Sequence, residues 1–409
     1  PIWLLAQGIR INAIAPGLTD TAQPRYGNTE DELAVHYAKA VEELDDDDLS
    51  ILAAWHASLE VGQPIANKEF LLRAFAQGVP LEDLTLADWS RFAALILAPG
   101  VPLTHPVPHW TVQKAKAADV EIMGDVELFC RERARMAPDA PFVAITGSNG
   151  KSTTTALIAH MLQQAGQDVQ LGGNIGTPIL DLAPPARGRV HVIECSSFQI
   201  DLTPSLAPSV GVLLNVTPDH IDRHGTVEHY AAVKERLVTG ADHVVMGVDD
   251  DHCRAMFRRL LAAGKPVTPI SQSQSDLLAC TYYAQQGLHR VVALGAGRRL
   301  VEPLASLVDA KALRGAHNGQ NAAAAFSACE WLGLDHGAIC AGLASFPGLP
   351  HRMEEIARLG STLFINDSKA TNADAAEKAL LSYNDIFWII GGKSKEGGIE
   401  SLRPLFSRV

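Results

Sequence analysis

The 409-residue sequence contains no apolar run that approaches the ~18 residues needed to span a bilayer. No basic, then apolar, then small-residue leader opens it, so secretion is not expected. Its six cysteines, Cys130, Cys195, Cys253, Cys280, Cys329 and Cys340, form no C-x-x-C pair. That spacing excludes a zinc ribbon or a dithiol redox motif and fits reduced thiols packed as small core residues in a cytoplasmic protein. A basic surplus is also lacking: 34 Lys and Arg stand against 46 Asp and Glu, a formal charge of −12, which argues against a nucleic-acid partner. No internal repeat and no low-complexity tract occurs. The chain opens on Pro1 rather than Met, so an N-terminal piece is expected to be missing.

What is present is apolar residue in quantity. At 47% hydrophobic and 20% charged, the chain can bury large cores, and its length predicts two or three domains. Residues 1–78 differ from the rest: 8–17 read as a short strand and turn, and the acidic run 43–48 as a solvated loop. Residues 79–136 alternate short apolar runs with turns. Within them, 92–98 predict a buried strand ended by Pro99 and Gly100, and 127–133 a helix. From 142 onward strands (142–146, 190–194, 210–215, 243–246) alternate with helices (around 157–162, 230–236 and 322–332). Strands separated by helices predict a multi-domain α/β protein with a central, mostly parallel sheet covered on both faces. A second α/β unit, with strands at 363–366 and 386–390, is expected from about 350 and is expected to be cut short at 409. The domain boundaries expected are 1–78, 79–136, 137–348 and 349–409.

Residues 146–153, T-G-S-N-G-K-S-T, lie between a predicted strand and a predicted helix. Glycines let backbone N–H groups curl around phosphate oxygens, and the helix N-terminus adds positive potential. Lys151 would reach the terminal phosphates and the Ser152 hydroxyl would hold Mg²⁺. The usual first glycine of such loops is absent, since Ile145 stands there.

This octet resembles the short phosphate loop of the Mur ligase superfamily, which also includes folylpolyglutamate synthases. The resemblance implies a phosphate-loop ATPase domain between two Rossmann-like domains, here both incomplete. The activity implied is an amide ligase that uses ATP to turn a carboxylate into an acyl phosphate. It also implies that Gly147, Ser148, Asn149, Gly150, Lys151, Ser152 and Thr153 bind ATP.

Further segments extend the match over about 79–409. Glu194, in E-C-S-S-F-Q at the end of a strand, would be a Mg²⁺ ligand or else an edge carboxylate in a salt bridge. Asn215 opens N-V-T-P-D-H-I-D, resembling the family's N-x-x-x-D-H-x-D segment; His220 there would bind a second Mg²⁺ or touch substrate. Lys234 would be the lysine that CO₂ converts to a carbamate whose oxygens bind metal, the alternative being an exposed helix lysine. Tyr230 and Lys234 also fit the Y-x-x-x-K pair of short-chain dehydrogenases, which we read as coincidence because that family places the pair before its Pro-Gly element. Asn318 and Asn321, in G-A-H-N-G-Q-N, would order the site and bind adenine. Arg352 would approach ATP phosphate or form an interdomain salt bridge, and Asp367 would place the ribose.

Residues 366–372, N-D-S-K-A-T-N, resemble the D-glutamate-adding branch of the family. They imply that Lys369 and Thr371, with Lys395, bind the D-glutamate carboxylates. Ala98, Pro99 and Gly100 would bind the UDP part of UDP-N-acetylmuramoyl-L-alanine, Asn174 would lie beside its muramoyl-alanine part, and Ser196 would also bind substrate. The resemblance thus implies ATP and Mg²⁺ as cofactors, small-molecule substrates, a monomer and a cytoplasmic site. It does not cover 1–78, where the family's glycine turn for the diphosphate is absent. Residues 1–42 resemble instead the late segment of a short-chain dehydrogenase. The expected activity is D-glutamate ligation; folylpolyglutamate synthesis and an inactive nucleotide-binding fragment remain the alternatives. For the chain as written, weak binding of ATP–Mg²⁺ without product formation is expected.

Overall fold

In the computed structural model, the described residues are 84–274, 277, 279–295, 298–370, 373–391 and 398–409. The strand and acidic loop expected within 1–78, and the candidate residues Thr371 and Lys395, lie outside them. The chain separates into two compact units. The first comprises residues up to Phe129 with 201–204 and 220–225, and the second comprises 130–200, 205–219 and 226–409.

In the first unit, β1 (Ala94–Ile96) pairs in parallel with β2 (Glu121–Met123), and α1 (Trp110–Ala117) connects them. The expected strand at 92–98 is shorter and one-sided. Leu95 and Leu97 are buried and alternate with part-exposed neighbours, because only one face meets the core of Trp89, Val101, Val112 and Ala115.

After α2 (Asp125–Met136), the second unit is built on a nine-stranded sheet. Its elements in chain order are β3 (Phe142–Thr146), α3 (Lys151–Gln164), β4 (Asp168–Gly173), β5 (Arg189–Glu194) and β6 (Val210–Leu213). Then come α4 (Val227–Gly240), β7 (His243–Gly247), α5 (Asp251–Ala262), β8 (Val267–Ser271) and β9 (Cys280–Ala284). They are followed by β10 (Gly287–Gly295), β11 (Arg298–Ser306), α6 (Ala316–Trp331) and α7 (His336–Ser345). The spatial order is β11-β10-β9-β8-β7-β6-β3-β5-β4. Pairing is parallel from β4 to β9 and antiparallel from β9 to β11.

The composition of the strands explains the layering. Every residue of β3 and β6 is buried, as strands covered on both faces require. The face of α3 carrying Leu157, Ile158, Met161 and Leu162 is fully buried, as its spacing predicts. Burying each such side chain contributes about 1.5–3 kcal/mol. Helix α6 is buried along most of its length because Ala322, Ala323, Ala324 and Ala325 let it approach its neighbours closely.

Chain order reverses at β3. β4 and β5 lie to one side of it, and β6, β7 and β8 to the other. The crevice at the carboxyl ends of β3, β5 and β6 is the topological switch point where ligands of such sheets bind.

After 350 the expected strand at 363–366 forms and the one at 386–390 does not. β12 (Glu354–Leu359) and β13 (Thr362–Asn366) form an antiparallel hairpin, followed by α8 (Ala373–Ser382). Residues 386–390 form no strand; Phe387 and Ile389 are almost fully exposed. An apolar run becomes a strand only when a neighbour takes up its backbone hydrogen bonds, and the Ile386 N–H goes instead to the Arg408 carbonyl.

Candidate active site

The phosphate-loop candidate leaves β3 at Thr146 and enters α3 at Lys151. Gly147 and Gly150 have φ of 154° and 85°. At Gly150 the requirement for glycine is double. The left-handed backbone excludes most side chains, and a Cβ would lie 2.4 Å from Asn321 Oδ1. Asn321 of α6 is thereby set against the loop. It donates to Asn318 Oδ1 at 3.0 Å, and Asn318 donates to the Arg314 carbonyl at 2.9 Å.

Lys151 Nζ folds back to the carbonyls of Gly147 and Ser148 at 2.9 and 2.8 Å. Burial lowers its pKa from the ordinary lysine value; Glu194 and Asp219 oppose that shift and Arg352 adds to it. Ser152 is buried, and its hydroxyl accepts a hydrogen bond from Arg352 Nη2 at 3.0 Å. Arg352 therefore reaches the first turn of the loop helix, where its guanidinium meets a candidate ligand to metal rather than a carboxylate.

Glu194 ends β5 directly beside β3, in register with Ile145. It is 2% exposed. Asn174 holds it twice: its side chain donates to Oε1 and its backbone N–H to the Glu194 carbonyl, both at 2.9 Å. The other oxygen, Oε2, is buried without a hydrogen-bond partner. A buried carboxylate oxygen left unpaired is costly, so this atom fits a cation. Among the described residues no cluster of three or more His, Cys, Asp or Glu has metal-ligand geometry. A cation here would therefore draw on hydroxyl, phosphate or water oxygens as well.

Lys234 lies on α4 and is 1% exposed, which excludes the reading as a surface lysine. Its Nζ donates to the Gly147 carbonyl at 2.9 Å and to Thr146 Oγ1 at 3.1 Å. It also sits 4.7 Å from the centre of the Tyr230 ring. Burial, reinforced by the charge of Lys151, holds its pKa well below the ordinary lysine value. The site thus contains an amine whose protonation is disfavoured.

The remaining candidates divide. Ser148, Asn149 and Thr153 belong to the loop and its first helical turn, but the Ser148 hydroxyl faces Thr217 and Tyr230. Ser196 is engaged in a reciprocal cap with Gln199. Asp367 accepts from the Met353 N–H at 2.9 Å, and burial raises its pKa. Lys369 is exposed in the turn after β13. His220 belongs to the first unit, in left-handed conformation ahead of the short helix Ile221–His224. Ala98, Pro99 and Gly100 form a turn of that unit, closed by the Val101 N–H on the Ala98 carbonyl. Sequence reasoning gave no role to Asn215, Thr146 or Tyr230, which the structure places against the loop or the Lys234 amine. The signals were there, in the N-x-x-x-D-H segment and the Y-x-x-x-K pair.

A glycine turn at the switch point, a buried carboxylate and a buried lysine whose protonation is disfavoured are arranged as in an α/β domain built to take a nucleotide. The family model of the Mur ligase middle domain matches residues 145–329. A UDP-N-acetylmuramoylalanine–D-glutamate ligase of Rhizobium etli is 57% identical, over 84% of this chain and 72% of its own. The ligase of that name from Bradyrhizobium diazoefficiens is 56% identical, over 88% of this chain and 77% of its own. The chain belongs to this family of Mur ligases. Among solved structures, the UDP-N-acetylmuramate-alanine ligase MurC of Thermotoga maritima is 20% identical with a TM-score of 0.46, over 78% of this chain and 70% of its own. No described helix is long and apolar enough to cross a membrane.

Proposed function

We propose that the chain is an ATP-dependent amide ligase that adds D-glutamate to UDP-N-acetylmuramoyl-L-alanine, a step of peptidoglycan precursor synthesis in the cytoplasm. The terminal phosphoryl group of ATP passes to the alanine carboxylate, giving an acyl phosphate and ADP. The D-glutamate amine attacks the acyl carbon, and the tetrahedral intermediate collapses to amide and phosphate. Because phosphoryl transfer asks for positioning and charge neutralisation, the protein's part is largely electrostatic.

Lys151 leaves its own loop carbonyls for the transferring phosphate, and the N–H groups opening α3 cradle the phosphate oxygens. Arg352, already within reach of Ser152, adds a second cation. Asn321 binds the adenine, Asn318 orders the site around it and Asp367 places the ribose. Ser152 and Glu194 would hold Mg²⁺, which neutralises phosphate charge when bound. Lys234 as a carbamate supplies anionic oxygens in place of an amine; its burial and depressed pKa support that reading. Lys369, Thr371 and Lys395 bind the D-glutamate carboxylates. Ala98, Pro99 and Gly100 bind UDP, Asn174 faces the muramoyl-alanine group, and Ser196 contributes to substrate binding. The role of His220, as metal or substrate ligand, rests on its sequence motif alone.

One observation carries the reading. Lys151, Glu194 and Lys234 share the carboxyl edge of the central strands in a chain 57% identical to a relative of that name. The test is release of ADP and phosphate with formation of the D-glutamyl product. Activity should require UDP-N-acetylmuramoyl-L-alanine and D-glutamate together, and L-glutamate should not substitute. Glutamate addition to a folate substrate instead would favour the folylpolyglutamate alternative.

A further inference from the structure

Asn215 follows β6, and its side chain meets the backbone of Asn149 at two points. The Asn149 N–H donates to Asn215 Oδ1 at 2.9 Å, and Asn215 Nδ2 donates to the Asn149 carbonyl at 3.2 Å. A primary amide offers one acceptor and one donor side by side, so it pairs with a peptide as a neighbouring strand would. The chemistry also fixes which end of the amide is which, because only the oxygen can accept from an N–H. The backbone carbonyl of Asn215 takes the Ser148 N–H at 2.9 Å.

A second fastening lies two residues on. The Ser148 hydroxyl donates to the Thr217 carbonyl at 2.8 Å, accepts from the Thr217 N–H at 2.9 Å and lies 3.2 Å from the Tyr230 hydroxyl. The loop at 148–149 and the segment 215–217 are therefore joined by five hydrogen bonds.

This joining assigns the loop's donors. The N–H groups of Ser148 and Asn149 are directed at Asn215. The first intrahelical bond at this end of α3 is from the Thr154 N–H to the Gly150 carbonyl. The N–H groups of residues 150–153 lie ahead of that bond, where a helix cannot satisfy its own donors.

We infer that Asn215 is a positioning residue for nucleotide. It fixes the Asn149 peptide, and through it confines the phosphate-facing amides to residues 150–153, with Ser148 serving as the second pin rather than as a phosphate ligand. The inference rests on the ATP-binding reading above.

The test uses the whole chain, Mg²⁺ and a non-hydrolysable ATP analogue in isothermal titration. Asn215→Ala removes both amide contacts. Asn215→Asp keeps the acceptor but turns a second oxygen toward the Asn149 carbonyl. Each should weaken binding about ten- to a hundred-fold, with aspartate no better than alanine. In turnover, KM for ATP should rise while KM for D-glutamate stays within about twofold of the parent. Hydrogen exchange on the parent gives an answer that does not depend on any variant folding. The amides of Ser148 and Asn149 should be protected with and without nucleotide, and those of 150–153 should gain protection only on binding. Parental affinity in both Asn215 variants, or new protection of Ser148 and Asn149 on binding, would overturn the inference. Failure of the parent to bind the analogue would instead overturn the function on which it rests.

Discussion

Lys234 Nζ lies 2.9 Å from the Gly147 carbonyl, which ties the middle of α4 to the base of the phosphate loop. The amine is fully enclosed and shares its neighbourhood with Lys151, and both conditions disfavour a second positive charge. Only a neutral amine captures CO₂. A depressed pKa therefore extends carbamate formation to lower pH than an ordinary lysine, of pKa 10.5, would allow.

The first prediction follows. With isotopically labelled bicarbonate, the parent should show a carbamate carbon resonance that Lys234→Ala lacks. The signal should fade as pH falls through the lowered pKa. The alanine variant should lose at least about a hundredfold in turnover, as removal of a charge-stabilising group does, and short carboxylates should restore part of it. An active parent with no carbamate signal would refute the assignment.

Gly150 yields the second. Gly150→Ala strains a left-handed residue by about 1–2 kcal/mol and drives a methyl group into Asn321 Oδ1. The variant should unfold at lower denaturant and bind nucleotide poorly. Adding Asn321→Ala removes the overlap but not the strain, so stability should recover in part while affinity does not. Full recovery of affinity in the double variant would show that Asn321 does not contact nucleotide.

Local sequence encoded the β3–loop–α3 unit well. A short apolar run, a glycine turn and an apolar helix face sit within about twenty residues and need no distant partner to be read. The Asn215–Asn149 pairing was not legible, because it joins residues 66 apart and depends on β6 lying next to β3. Ser148 was recognisable as a loop member, but the direction of its hydroxyl is set by Thr217 and Tyr230, which no loop pattern contains. Residues 386–390 have the apolar composition of a strand, yet a ladder needs a neighbour, and composition says nothing of one. Lys234 was identifiable by motif, whereas its burial, which decides its chemistry, came only from the packing of α4.

The third prediction concerns the amino-acid substrate. Lys369 is exposed, and its backbone N–H is held to the His351 carbonyl at 3.1 Å, so its side chain is free of the core. Lys369→Ala should leave folding unchanged. It should raise the D-glutamate requirement on the order of 10–100-fold, the effect of losing one charge-assisted contact, with little change for ATP. Equal effects on both substrates in steady-state kinetics would move Lys369 away from the glutamate site.

The fourth sets function against stability at Glu194. The carboxylate is buried with Oε1 bonded to Asn174 and Oε2 unpaired. Such a group persists at a cost to the fold, because a buried carboxylate oxygen without a hydrogen-bond partner has lost the solvation it has in water. Glu194→Gln has nearly the same shape, keeps an oxygen for the Asn174 amide and removes the charge. Thermal unfolding without nucleotide should therefore occur at or slightly above the parental temperature. Activity should fall at least about a hundredfold, consistent with loss of a metal-holding oxygen at a phosphoryl-transfer site. Chelating Mg²⁺ separates the two explanations for that loss. In the parent, chelation should weaken nucleotide binding strongly. In the variant chelation should weaken binding less than in the parent, because one of the protein's oxygens for the metal is already gone. If the variant instead unfolds well below the parent and keeps the full Mg²⁺ dependence, Glu194 is a structural carboxylate and the cation is held elsewhere.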